Sequence, residues 1–225
     1  DEPAMHAQIN RLVDAGIHGV VPTGTTGEFM TLTPAEYRRV FEVVNEAAAG
    51  RCHVFAGVGS TSTAEAISLA KHAEKAGSTG IMLLPPFYAA PNFAELQVFM
   101  RSVAESISIP VMYYNIPSST GVTLNAEQIA QLGEIPGVNY LKDTSGDAVT
   151  MADLLANRSD KIKAFNGWDT LTFFGLASGA EASVWGTATV IPELAVALYN
   201  ALAVENDLAT GRELWKKIWP ICDFL

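Results

Sequence analysis

The chain alternates between two textures. Short runs that are apolar throughout recur at HGVVPTG (18–24), HVFAGVG (53–59), GIMLLPP (80–86), IPVMYYN (109–115), VNYLK (138–142), IKAFNG (162–167) and ASVWG (182–186). A strand with one wet face alternates apolar and polar residues, whereas a strand covered on both faces does not. The seven runs therefore read as buried parallel strands. Amphipathic segments with clear start signals lie between them. Thr33-Pro34-Ala35-Glu36 is a capping box with proline at the first helical position, and Tyr37, Val40, Phe41 and Val44 follow at helical spacing. Ser62 to Glu65, Asn92 to Glu95 and Asn125 to Gln128 repeat that start, and Gly16, Gly50, Gly77 and Gly133 stand where helices would stop.

Strand, loop and helix recur at about the 30-residue scale of βαβ units, with no linker or low-complexity stretch between them. Two architectures fit, an open doubly wound sheet or a (β/α)8 TIM barrel. A dinucleotide-binding sheet would want G-x-G-x-x-G after its first strand, and GVGSTS (57–62) lacks the third glycine. Polar, Gly-rich stretches follow nearly every strand: TGTTGE, GVGSTST, PFYAAP, YNIPSSTG, KDTSGD and NGWD. Barrel active sites are assembled from such loops, which favours the barrel. The count is seven strands rather than eight, the chain opens in a helix around Ile9, Leu12 and Val13, and it stops within the apolar WKKIWPICDFL. The expected fold is a single α/β barrel domain over residues 1–225, incomplete, with its first strand and a C-terminal tail missing.

Composition narrows the function. With 225 residues, 49% of them hydrophobic and 17% charged, the chain can bury one sizeable core. A formal charge of −10 without a basic stripe argues against a nucleic-acid partner, yet leaves room for a small anion held by hydroxyls and N–H groups. Two cysteines, Cys52 and Cys222, make no disulfide framework, so a reduced, cytoplasmic protein is expected. His6, His18, His53 and His72 show no metal-ligand spacing, and no metal site is expected. No apolar run reaches membrane-spanning length, and no signal-peptide pattern opens the chain.

Lys142 closes the apolar run VNYLK and is followed by a loop of Asp, Thr, Ser and Gly. A lysine at a strand end ordinarily reaches for water. At the mouth of a barrel, partly desolvated by neighbours such as Val138 and Leu141, its amine could instead attack a ketone and form a Schiff base. Tyr113 and Tyr114 are consecutive in a strand, so one faces the barrel interior and the other the surrounding helices. The inner phenol could relay protons, or either could be a buried aromatic with a satisfied hydroxyl. In Gly24-Thr25-Thr26-Gly27-Glu28 the glycines allow close backbone approach, and two hydroxyls with nearby N–H groups could hold a carboxylate. A plain turn accounts for the same string.

GTTGE after one strand, YNIPSSTG (114–121) after another and LKDTSGD (141–147) after the next occur in that order. The sequence thereby resembles the dihydrodipicolinate synthase / N-acetylneuraminate lyase family of class I, pyruvate-handling lyases, over essentially its whole length. The resemblance implies a (β/α)8 barrel with Lys142 as the Schiff-base lysine, Tyr114 as the proton relay and Thr25 as its hydrogen-bonded partner. It implies that Tyr88, in PPFYAAP, crosses a subunit interface to complete the relay, and that Thr26 and nearby backbone bind the keto acid's carboxylate. Gly167 and Val184 match positions that line the pocket around the imine. A 2-keto acid is then the small-molecule partner, no cofactor is called for, and a homotetramer built as a dimer of dimers is expected.

The match departs at Ser119. Synthases of the lysine pathway carry arginine there to grip the second substrate's carboxylate, and serine cannot make that bidentate charged contact. NGWD (166–169) looks more like the sugar-acid lyases, in which Asp169 would meet substrate hydroxyls; as an alternative, Asp169 would cap the helix through Leu171. The favoured substrate is a 2-keto-3-deoxy sugar acid, cleaved to pyruvate and an aldehyde or dehydrated. The alternatives are a 4-hydroxy-tetrahydrodipicolinate synthase condensing pyruvate with aspartate semialdehyde and, in a different class, a non-catalytic keto-acid-binding barrel.

Overall fold

Six of the apolar runs form parallel strands in the computed structural model, which describes residues 1–224. They are β1 (Gly19–Val20), β2 (His53–Val58), β3 (Gly80–Leu83), β4 (Val111–Asn115), β5 (Val138–Asp143) and β6 (Lys163–Asn166), paired in that order in one sheet. Helices α1 (Glu2–Asp14), α2 (Pro34–Ala48), α3 (Thr63–Lys75), α4 (Phe93–Ala104), α5 (Pro117–Thr120), α6 (Ala126–Gly133), α7 (Ala148–Asn157), α8 (Thr172–Ala177), α9 (Pro192–Tyr199) and α10 (Leu208–Phe224) complete the chain. The sheet curls as a half-barrel with β1 and β6 as its edge strands.

Two strands differ from expectation. The run at 182–186 makes only an isolated parallel bridge, Ser183 to Asn166, because the chain turns at once into the 186–189 loop that Asp169 braces. The run at 18–24 is cut to two residues. Pro22 has no N–H to give a ladder, and Thr23 turns into the left-handed region at φ 56.

The helix starts follow the side-chain chemistry. Thr33/Glu36, Asn92/Glu95 and Asn125/Gln128 form reciprocal capping boxes, and Ser62 accepts from the Glu65 N–H. Each such cap is worth about 1 kcal/mol. Gly16 and Gly77 adopt φ near 90 at helix ends as expected, but Gly133 does not. It is the last residue of α6, and a Cβ there would run into the Lys161 carbonyl and the Ile162 side chain. Gly133 serves packing, and the left-handed turn falls at Gly137.

One irregularity sets the geometry of the sheet's centre. Val111 pairs with Val138, but Met112 pairs with Tyr140, so exposed Asn139 is an extra residue in β5. The slip places Tyr114 opposite Lys142 and Asn115 opposite Asp143; without it, Tyr114 would face Leu141. Side chains then alternate cleanly. Phe55, Tyr140 and Phe165 stack on the inner face with centroid separations of 5.8 and 5.5 Å. Above them on the same face stand Gly57, Met82, Tyr114 and Lys142. The outer residues Ile81, Leu83, Val111, Tyr113 and Leu141 are fully buried against the helices.

Candidate active site

The inner-face groups at the C-terminal ends of β4 and β5 meet the loop that follows β1. Lys142 Nζ lies 4.2 Å from the centroid of the Tyr114 ring, a cation–π contact worth about 0.5–1 kcal/mol. The Tyr114 hydroxyl is 3.4 Å from Thr25 Oγ1, and either can donate. Thr25, Gly57, Met82 and Tyr114 bound a narrow cleft beneath the loop. Lys142 is half-buried, Thr25 is exposed and Tyr114 is buried between them.

Gly167 belongs to the same site. A Cβ there would collide with the Thr144 hydroxyl and come within 2.7 Å of Lys142 Cγ and 2.8 Å of its Cε. The missing side chain leaves the lysine its extended path. Thr144 Oγ1 donates to the Gly167 carbonyl at 3.1 Å, tying the loop after β5 to the end of β6. Val184 donates its N–H to the Asn166 carbonyl at 2.8 Å and packs, half-buried, against the main core beside this edge.

Other residues stand farther out. Thr26 is exposed, its hydroxyl near Gly186. Asp169 does not cap the turn through Leu171. Its carboxylate accepts from Gly186 N–H at 3.2 Å, Thr187 N–H at 2.8 Å and the Thr187 hydroxyl at 2.6 Å, which closes the 169 and 186 loops on each other. Tyr88 is not beside Tyr114 or Thr25 within the chain. It stands fully exposed at φ 78, a backbone state that L residues adopt at a cost.

Behind the amine, on the outer face, lies a polar pair that period-two patterning does not reveal. Asn115 Nδ2 donates to Asp143 Oδ1 at 2.7 Å, with both residues fully buried. Ser145 adds its N–H at 3.2 Å and its hydroxyl at 3.0 Å to the same carboxylate. Burial pushes the Asp143 carboxyl above its ordinary value, and the hydrogen bonds from Asn115 and Ser145 pull against that. Burial, with Asp143 adding to it, also pushes up the phenol of Tyr113, whose hydroxyl has no partner among the described residues. The only sequence signal for the pair is that each polar residue directly follows a residue of the candidate site.

A lysine over a phenol, with a hydroxyl beyond it, thus stands at the C-terminal ends of parallel strands in an α/β fold, and the family and relatives that match this chain make it an enzyme of the lyase type. The chain belongs to the dihydrodipicolinate synthetase family, whose model matches residues 1–225. It is similar to the 4-hydroxy-tetrahydrodipicolinate synthase of Methanopyrus kandleri, at 38% identity over 225 residues covering 98% of this chain and 74% of the relative. The corresponding synthase of Phenylobacterium zucineum is 36% identical over 94% of this chain and 71% of its own. Among solved structures, the dihydrodipicolinate synthase of Aquifex aeolicus superposes with a TM-score of 0.94 at 30% identity, covering 99% of this chain and 76% of that one. The chloride-inhibited enzyme of Acinetobacter baumannii complexed with pyruvate gives 0.95 at 28%, again over 99% and 76%. These relatives match a condensing synthase better than the sugar-acid lyase first favoured.

Proposed function

We propose that the protein is a Schiff-base lyase that activates pyruvate on Lys142 and condenses it with aspartate semialdehyde, as a 4-hydroxy-tetrahydrodipicolinate synthase. The observation that carries this is the Lys142–Tyr114–Thr25 constellation, with the amine 4.2 Å from the ring centroid and the hydroxyls 3.4 Å apart. The Lys142 amine adds to the C2 carbonyl, water leaves, and the iminium withdraws electrons from C3. Loss of a C3 proton gives an enamine, whose C3 bonds to the aldehyde carbon as the aldehyde oxygen takes up a proton. The amine of the aspartate semialdehyde portion then adds to C2, closing the ring, and the Lys142 amine leaves from C2, which completes turnover. A phenol with a reference pKa near 10 passes protons at neutral pH only through a hydrogen-bonded partner, and Thr25 is that partner here.

Thr26 and the backbone around it hold the pyruvate carboxylate, and Gly167 and Val184 shape the wall around the imine. The six strands form an arc of a (β/α)8 barrel, within one domain. Tyr88, exposed and in a left-handed conformation, extends the relay in a neighbouring subunit of an oligomer.

One observation favours a second reading. Ser119 is an exposed serine on α5, and among the described residues the loops beyond the strand ends carry no Lys or Arg. Among the C-terminal strand ends and the loops that follow them, Lys142 is the only Lys or Arg of the described residues. An aldehyde with its own carboxylate would find no Lys or Arg in these loops to pair with, whereas a hydroxyaldehyde from a 2-keto-3-deoxy sugar acid needs none. Borohydride trapping with pyruvate tests the common step: the expected result is an adduct on Lys142, and its absence refutes both readings. Turnover with pyruvate and aspartate semialdehyde, set beside pyruvate release and water loss from a panel of keto-deoxy sugar acids, decides between them.

A further inference from the structure

In the motif GVG at 57–59, Gly57 lies on the inner face of β2 and Gly59 just past its end, both against the loop that carries Thr25. We propose that Gly57 and Gly59, pinned by the Tyr37 hydroxyl, form a seat that holds Thr25 in register with Tyr114, which makes these three positioning residues for the proton relay. The inference rests on Lys142 and Tyr114 acting as proposed above.

Each glycine receives one end of the loop. A Cβ at Gly57 would lie 2.5 Å from the Thr23 carbonyl oxygen and 2.9 Å from that of Pro22. A Cβ at Gly59 would lie 2.7 and 2.8 Å from two ring carbons of Phe29. Thr25 sits between these anchors, and the loop's bends at Thr23 (φ 56) and Glu28 (φ 54) are both left-handed non-glycine residues. Such conformations persist only where surroundings over-determine them, and here they are over-determined. The Thr23 hydroxyl donates to the Gly57 carbonyl at 2.8 Å, Gly57 N–H donates to the Pro22 carbonyl at 2.9 Å, and Glu28 N–H donates to the Thr25 carbonyl at 3.0 Å.

Tyr37 fastens the seat from the helix side. Its hydroxyl donates to the Gly57 carbonyl at 3.0 Å and accepts from the Gly59 N–H at 3.1 Å. Its ring meets Phe29 edge-on at 6.0 Å, and Phe29 in turn meets Phe87, next to Tyr88, at 6.1 Å. The relay contact is 3.4 Å, already at the long end of hydrogen bonding. A displacement of the loop by one methyl group therefore breaks it.

The test is Gly59→Ala. Exchange of pyruvate C3 protons for solvent deuterium should fall about 100-fold, the cost of roughly an ångström of misplacement. Borohydride trapping on Lys142, which does not need Thr25, should stay within about two-fold of the parent. Phe29→Leu added to Gly59→Ala makes room for the methyl and should restore most of the exchange. Equal losses in both readouts, or full exchange in a Gly59→Ala protein with native circular dichroism, overturn the proposal. A crystal structure of the variant gives a readout independent of activity: the Thr25–Tyr114 gap should open beyond about 3.5 Å, and a retained 3.4 Å gap overturns the inference even if the parent traps no pyruvate. If Gly59→Ala does not fold, Tyr37→Phe should lower exchange while sparing trapping, and unchanged exchange there counts against the seat.

Discussion

The inner and outer faces of β4 and β5 are built from the same ten ångströms of backbone and behave oppositely. On the inner face, Tyr114, itself buried, lies under the half-buried Lys142 and meets the exposed Thr25. One residue along each neighbouring position, Tyr113, Asn115 and Asp143 are sealed under the helices, and burial raises both Tyr113 and Asp143 above their ordinary values. Tyrosine and a charged residue occur on both sides. What separates the two sides is the company each keeps: the inner tyrosine borders the half-buried Lys142 and the exposed Thr25, whereas the outer groups border only one another and the helices. The comparison predicts that equivalent substitutions on the two faces have different readouts: activity inside, stability outside.

The largest effect is expected at Lys142. Lys142→Ala should abolish the borohydride-dependent mass increase with pyruvate, while stability drops by no more than about 1 kcal/mol, the scale of one cation–π contact. An adduct persisting at another residue would show that the inner face is not the reactive one. Tyr114→Phe comes next. It keeps the ring under the amine and removes the hydroxyl that meets Thr25, so C3 exchange should fall about 100-fold while trapping persists.

On the outer face, Asp143→Ala should cost about 2 kcal/mol in denaturant unfolding, because the Asn115 amide and the Ser145 donors lose their buried acceptor. Its pH dependence has a definite sign. Burial raises the folded carboxyl above the unfolded one, so the contribution of Asp143 to stability is fully present below the ordinary carboxylate range and is lost as pH rises through the raised value. Unfolding free energy of the parent minus that of Asp143→Asn should therefore fall as pH rises from the ordinary carboxylate range. A difference that rises over this window would mean that the hydrogen bonds from Asn115 and Ser145 outweigh burial.

How far the sequence carried is visible in these same strands. The unbroken apolar runs, the capping boxes and the position of Lys142 at a strand end were legible because they depend on local pattern. Alternation also said that Tyr113 and Tyr114 part company. It could not say which faces inward, because that depends on register, and the register turns on the extra residue Asn139 in β5. For the same reason the Asn115–Asp143 pair was hidden, since it exists only once β4 and β5 are aligned. The GVG run looked like a failed nucleotide motif because its use, receiving a loop from the neighbouring strand, is a contact across about thirty residues of chain. The helix-cap alternative for Asp169 failed for a related reason: the partners of its carboxylate at 186–187 lie in a loop with no pattern of its own.

The smallest predicted effect separates the two faces most sharply. Tyr113→Phe is the same atomic change as Tyr114→Phe, made one residue earlier. The Tyr113 hydroxyl is fully buried and has no partner among the described residues, so its removal deletes an uncompensated desolvation cost rather than a bond, while the ring keeps its packing. Stability should therefore stay level or rise by up to about 1 kcal/mol, with pyruvate trapping and C3 exchange unchanged. Alkaline pH gives a second handle. Burial raises the folded phenol, so its contribution to stability is present below the ordinary tyrosine range and lost as pH rises through the raised value. The stability of the parent relative to Tyr113→Phe should decline at the alkaline end. A loss of C3 exchange in Tyr113→Phe comparable to that in Tyr114→Phe would mean that the outer face takes part in proton transfer, and the division between the two faces would fail.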